Sequence, residues 1–135
     1  MYQGAHYKQK IENMKNDIAV MILAAGKSTR MKSDSPKVLQ KICGRPMLGY
    51  VLDLVASLKP RQVVAVLGFK QELVRKIIPK GVKIALQKKL IGTADAVKAG
   101  LSALKGFKGT VLVLYGDSPL LKKDTLKKLL DYHIK

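Results

Sequence analysis

Short apolar runs, each stopped by small or polar residues, alternate along this chain with segments whose apolar residues recur at helical spacing. Residues 18–24, Ile-Ala-Val-Met-Ile-Leu-Ala, are continuously apolar and predict a buried strand. Gln62 to Leu67, Lys83 to Leu86 and Thr110 to Tyr115 predict three more strands, the first of these ending at Gly68 and the last at Gly116-Asp117. Met47, Tyr50, Val51, Leu54, Val55 and Leu58 predict a helix over 47–58. Leu73, Val74, Ile77 and Ile78 mark a short helix closed by Pro79 and Gly81. Gly92-Thr93 opens a third helix, with Thr93 as its N-cap and Ala94, Val97, Leu101 and Leu104 on one face. Leu126, Leu129, Leu130 and Ile134 give a last helix, and the stretch from 25 to about 45, rich in Ser, Lys and Pro, reads as a long loop.

Strands separated by helices need crossover connections, so the sheet is expected to be mostly parallel with helices on both faces. The fold class is therefore α/β, a doubly wound, Rossmann-like sheet. Residues 1–16 show no periodic apolar face and read as an N-terminal extension, with Met14 a candidate start of the native chain; 17–135 form the α/β unit. Ligands of such sheets sit beyond the carboxyl ends of the strands. The loops at 26–30, 87–93 and 116–117 all leave strands at that edge, and are expected to converge there.

The first of these loops carries the strongest chemical signal. Leu23-Ala-Ala-Gly-Lys-Ser-Thr-Arg-Met31 follows the first strand, and Pro36-Lys-Val-Leu39 comes shortly after. Small residues let backbone approach a ligand closely, and Gly26 can adopt unusual dihedrals at the strand exit. Arg30 and Lys37, seven positions apart, are cations suited to a polyphosphate beside such a turn. A nucleoside triphosphate site is expected. It is not a Walker A loop: that motif needs Gly five positions before the Gly-Lys pair, and Met21 stands there.

Composition narrows the partners. Lys and Arg number 26 against nine acids, a net charge of +17. The lysines are scattered, aromatic residues make up 5%, and neither a zinc-ligand pattern nor a heptad-linked basic helix is present. Specific nucleic-acid recognition is not expected, whereas non-specific adhesion at low salt is. No apolar run approaches the roughly 20 residues of a membrane span. The polar first ten residues resemble no signal peptide, and a single cysteine, Cys43, excludes an internal disulfide; a cytoplasmic protein is expected. Cys43 reads as a small filler, and His6 and His133 as solvated.

LAAGKSTRM with PKVL, then LQ and GTADA, then LYGDSPLL resembles, in order and spacing, the nucleotidyltransferases that make nucleotide sugars. Over about residues 17–130 the chain is most similar to the uridylyltransferase domains of bacterial N-acetylglucosamine-1-phosphate uridylyltransferases. The resemblance implies that Leu23, Ala24, Ala25 and Gly26 lie against base and ribose, and that Arg30 and Lys37 hold the triphosphate as the catalytic cations. It implies that Gln87, Gly92 and Thr93 read the uracil ring, Tyr115 and Gly116 approach the sugar, and Asp117 binds Mg²⁺. The implied reaction takes UTP and N-acetylglucosamine 1-phosphate to UDP-N-acetylglucosamine and pyrophosphate, without a protein nucleophile.

Three features depart from that pattern: Ser28 in place of a glycine, Leu90 in place of a glutamine, and Ala94-Asp95 after the Gly-Thr pair. The family's catalytic domain also continues well past the equivalent of Lys135, so the resemblance implies a truncated, nucleotide-binding half. Self-association or a complementing C-terminal half is then an expected partner. The alternatives are a cytidylyltransferase or other sugar-phosphate nucleotidyltransferase, and a non-catalytic nucleotide-binding or interaction module.

Overall fold

The computed structural model describes residues 9, 17–27, 29–30 and 33–134. The expected N-terminal extension, with Met14 and His6, lies outside the described residues. In chain order the elements are β1 (Ile18–Ala24), a 3-10 turn at Lys37–Leu39, β2 (Lys41–Ile42), β3 (Arg45–Pro46), α1 (Met47–Leu58), β4 (Gln62–Leu67), α2 (Gln71–Arg75), β5 (Lys83–Leu86), α3 (Thr93–Ala103), β6 (Thr110–Tyr115) and α4 (Lys123–Ile134).

The main sheet has the order β5-β4-β1-β6, and all its pairs are parallel. This is the expected doubly wound α/β arrangement. The chain steps outward from β1 to β4 and β5, then returns to lay β6 on the other side of β1. Such a reversal leaves an open crevice past the carboxyl ends of the two strands at the switch, here β1 and β6. Because β1 lies inside the sheet with helices above and below, every one of its residues is buried, and its sequence is continuously apolar rather than alternating.

The two faces are packed differently. Val20 and Ile22 meet Leu48, Val51 and Val55 of α1, Val74 of α2, and Leu126 and Leu130 of α4. Each such aliphatic side chain contributes roughly 1.5–3 kcal/mol by leaving water. On the other face Ala19, Met21 and Leu23 meet α3 through Ala96, with Leu104 just beyond the helix. There the contact is made by small residues. A Cβ on Gly100 would lie 2.5 Å from Met21 Sδ and 2.9 Å from Val66 Cγ2, so α3 approaches the sheet too closely for a larger side chain.

That close approach corrects the expected helix face. Ala96 and Gly100 are buried, whereas Ala94 is exposed and Leu101 is 48% exposed. Val97 and Leu104 of the expected face do pack against the sheet, so apolarity marked half of it; Ala96 and Gly100 escaped because size decides which part of α3 can come closest. Leu129 of α4 is likewise exposed, leaving Leu126 and Leu130 to anchor that helix. Thr93 is the first helical residue and not the N-cap; Gly92 takes that place with φ +128° and ψ 178°, and no side chain caps the end. Those dihedrals are essentially restricted to glycine, so the loop conformation selects the cap. The long loop after β1 also holds structure that was not expected. β2 and β3 form a small antiparallel hairpin around Cys43 and Gly44, whose φ values of +50° and +79° carry the signs of a type I′ turn. Cys43 is exposed in that turn, not a core filler. Among the described residues no helix is long and apolar enough to cross a membrane.

Candidate functional site

Leu23 and Tyr115 are paired at the ends of β1 and β6, and past them a cleft of about 640 Å³ opens. Its size is in the range of small-molecule and cofactor sites. The β1 exit supplies one wall through Leu23, Ala24, Ala25, Gly26 and Arg30; Lys37 comes from the 3-10 turn. The loop after β5 and the start of α3 supply Gln87, Gly92 and Thr93, and the β6 exit supplies Tyr115 and Asp117. Of the residues singled out in the sequence, only Gly116 does not line this cleft. It is packed behind the wall, where its N–H donates to Leu23 O at 2.9 Å and a Cβ would press on Val38 and Leu48. Gly26 differs from expectation in another way. Its φ is not positive; its use is the open space above it, since a Cβ there would meet nothing within 4 Å.

Backbone hydrogen bonds weld these loops together. Ala25 O accepts from Phe69 N at 3.1 Å and Leu67 O accepts from Gln87 N at 2.8 Å, so the exits of β1, β4 and β5 are tied in sequence. A clamp of side chains holds the outer part of the first loop. Lys70 Nζ lies 2.6 Å from Asp34 Oδ2, and Lys27 and Lys70 stand 5.4 and 5.6 Å from the Phe69 ring centroid. The Lys70 hydrogen bond, reinforced by its charge, keeps the exposed Asp34 carboxyl below the usual carboxylate range.

Electrostatics divide the cleft in two. At the β1 and β6 end Lys27, Arg30 and Lys37 face a single carboxylate, Asp117. Lys37 Nζ sits 2.7 Å from Asp117 Oδ2, with side-chain exposures of 48% and 27%. The two residues expected to hold triphosphate and metal therefore hold each other. A partly exposed pair of this kind is worth only about 0–1 kcal/mol, so it opens readily when better partners arrive. Arg30 is exposed and makes no ion pair or hydrogen bond with any described residue. At the β5 end the character changes. Gln87 is 7% exposed, and its Nε2 donates to Gly92 O at 3.0 Å and to Asp95 Oδ2 at 3.1 Å.

Sequence reasoning missed Lys27, Thr29, Val38, Leu90 and Ala96, which also line the cleft. Lys27 and Thr29 could have been found, because they stand between Gly26 and Arg30 on the same strand exit. Ala96 could not, since the helix face it belongs to is set by packing. As for a divalent cation, no group of three His, Cys, Asp or Glu side chains comes together among the described residues. A lone carboxylate in a phosphate-suited cleft fits Mg²⁺, which is held by one or two carboxylates with substrate phosphates and water rather than by an all-protein cage.

Residues 20–134 match the family described as the MobA-like NTP transferase domain. Among curated proteins, the bifunctional protein GlmU of Pelotomaculum thermopropionicum is 46% identical over 117 residues, covering 87% of this chain and 26% of the relative. GlmU of Alkaliphilus metalliredigens is 47% identical over 116 residues, covering 86% of this chain and 25% of the relative. This chain thus spans about a quarter of the length of the curated relatives it matches. Among solved structures, Rv0371c of Mycobacterium tuberculosis superposes with TM-score 0.76 at 24% identity, covering 88% of this chain and 61% of that one. The 4-diphosphocytidyl-2C-methyl-D-erythritol synthase of Anaerococcus prevotii gives 0.72 at 22% identity, covering 91% and 54%. These likenesses of fold agree with the family match and with the parallel sheet and its crevice: the chain belongs to the MobA-like NTP transferase domain family.

Proposed function

We propose that residues 17–135 form the nucleotide-binding half of a uridylyltransferase, one that transfers UMP from UTP to N-acetylglucosamine 1-phosphate and releases pyrophosphate. The observation that carries this reading is the single cleft in which exposed cations, an acceptor carboxylate and a buried amide are gathered at the switch point of the sheet. The choice of uracil and of this amino sugar is supported by the identity with the GlmU proteins.

In this reading the non-bridging oxygen of the sugar phosphate attacks the α-phosphorus of UTP, and the bond to the β-phosphate oxygen breaks. The attacking phosphate is already ionised, so no general base is required. Lys37 leaves Asp117 and pairs with the triphosphate, while Arg30 neutralises the departing pyrophosphate. Asp117 is the residue that would hold Mg²⁺; bound there, the ion would neutralise charge on the phosphates. Ala24, Ala25 and Gly26 keep the β1 exit low enough for the nucleoside to lie on it. Tyr115, 52% exposed at the mouth, faces the side from which the sugar phosphate enters.

The test is calorimetric titration of the chain with UTP and CTP, each with and without Mg²⁺, followed by assay of pyrophosphate release on adding N-acetylglucosamine 1-phosphate. Saturable, Mg²⁺-dependent binding that favours UTP is expected. A folded chain that binds neither nucleotide would refute the reading, and a preference for CTP would replace it by a cytidylyltransferase. Binding without turnover, with or without added sugar phosphate, would reduce the isolated chain to a nucleotide-binding module.

A further inference from the structure

Gln87 is the buried polar residue of the cleft wall, and its amide is held in one orientation by chemistry alone. The oxygen and nitrogen of a glutamine amide are interchangeable in shape, so the hydrogen-bond partners must decide between them. Here both partners, Gly92 O at 3.0 Å and Asp95 Oδ2 at 3.1 Å, lie beside Nε2. A carbonyl oxygen and an ionised carboxylate can only accept, so the reversed amide would set an acceptor against two acceptors. With both N–H groups engaged, Gln87 has only its Oε1 left to offer, and that atom accepts no hydrogen bond from any described residue.

Asp95 lies outside the cleft lining, in the first turn of α3, half-buried behind Gln87. We propose that Asp95 is a positioning residue that sets base specificity: by engaging the Gln87 amide nitrogen, it makes the site present an acceptor to the bound base. This rests on the uridylyltransferase reading and deepens it. In the proposed pose Oε1 faces ring nitrogen 3 of the base, and there an acceptor selects a pyrimidine with a hydrogen on that nitrogen, as the imide of uracil has. Cytosine carries a bare lone pair at that position and would meet Oε1 acceptor to acceptor, a mismatch that costs a buried polar group its partner. A carboxylate in the first turn of a helix is also favourable for the helix itself. That simpler role predicts a change in stability with no change in the choice of base.

The two roles are separated by Asp95→Asn, nearly isosteric and able to donate as well as accept, and by Asp95→Ala. The full chain is titrated with UTP, CTP and pyrophosphate, and melting is recorded for each variant. The wild type is expected to favour UTP. In Asp95→Asn the new amide can donate to Gln87 Oε1 and so favours the reversed orientation against the one remaining acceptor, Gly92 O; the ratio of UTP to CTP affinity is expected to fall about tenfold, with pyrophosphate affinity unchanged. Asp95→Ala supplies no donor to the reversed amide and leaves Gly92 O to hold the original orientation, so it is expected to give a smaller fall. An unchanged ratio in Asp95→Asn, whatever happens to the melting temperature, overturns the proposal. Equal binding of UTP and CTP by the wild type overturns it too, yet leaves the nucleotidyltransferase reading standing. Failure of the wild type to bind either nucleotide overturns that reading and the proposal with it.

Discussion

The two ends of the cleft are built on opposite terms. At the β1 and β6 end, exposed Arg30 and half-exposed Lys37 face a carboxylate that is already paired, and the contacts can be exchanged without disturbing the core. At the β5 end, Gln87 is buried and both hydrogens of its amide are committed to fixed acceptors. Charge on flexible side chains gives attraction that tolerates small errors of position and weakens with salt. A buried, oriented amide gives little attraction but penalises a wrong partner heavily. Under the proposed function the comparison teaches that affinity and selectivity fall to different residues, so each is expected to be removable without the other.

The charged end is expected to give the largest effects. Asp117→Asn keeps the shape of the side chain and removes the charge, and should abolish the Mg²⁺-dependent part of UTP binding. Titration with and without the metal checks this, and an unaltered metal dependence would take Asp117 out of the site. Lys37→Ala should follow, with a loss of UTP affinity of roughly 10- to 100-fold for a charge-assisted contact. Uridine, which lacks phosphates, should bind as before; an equal loss for both ligands would mean that Lys37 only supports the fold. Raising the salt concentration should narrow the gap between wild type and Lys37→Ala while leaving the UTP to CTP ratio in place.

The β5 end, proposed to read the base, is expected to break through its backbone. A Cβ on Gly92 would meet nothing within 4 Å, so space does not forbid alanine there; the φ of +128° does. Such a conformation costs a non-glycine residue about 1–3 kcal/mol, which the loop relieves by rearranging. Gly92 O is one of the two acceptors that hold Gln87, so the amide should loosen with it. Gly92→Ala is therefore expected to lower UTP affinity severalfold and to erode the preference over CTP. Pyrophosphate binding should be unaffected, and a parallel loss of pyrophosphate affinity would show that the two ends are not independent.

What was legible in the sequence follows the same division. The strands β1, β4, β5 and β6 could be bounded because each apolar run gives way to small or polar residues, most sharply at Gly68 after β4 and at the Gly116-Asp117 pair after β6. Their order in the sheet then brought the three loops to one edge, which is why separate motifs converge on one cleft. The hairpin at 41–46 was illegible, because two-residue strands are too short to show a period. The buried face of α3 was read only in part, with Val97 and Leu104 found but Ala96 and Gly100 missed, for a different reason. A pattern of apolar residues measures transfer from water, whereas Gly100 is buried because nothing larger fits against Met21. Nor could the sequence show that Gln87 and Asp95 share a hydrogen bond, since that contact depends on how the loop between β5 and α3 folds back.

The smallest expected effect lies at the clamp behind the charged end. Asp34 is held by Lys70 at 2.6 Å, and the hydrogen bond, with help from the charges of Lys70 and Lys27, lowers its pKa against a small opposing effect of desolvation. A carboxyl whose folded pKa is depressed contributes stability that is fully present above its unfolded value of about 3.9 and is lost as pH falls through the lower folded value. The clamp is therefore complete at neutral pH and fails only below about pH 4. Asp34 is almost fully solvated, so its contribution is small. Melting curves of wild type and Asp34→Asn should differ slightly at pH 7 and draw together as the pH falls below the unfolded carboxyl value of about 3.9 and through the lowered folded one. UTP affinity at pH 7 should change less than about twofold, because a charged end that tolerates displacement does not need its loop held in one place. A tenfold loss in Asp34→Asn would mean that the cations, like the buried amide, act from a fixed position, and the contrast between the two ends would not stand.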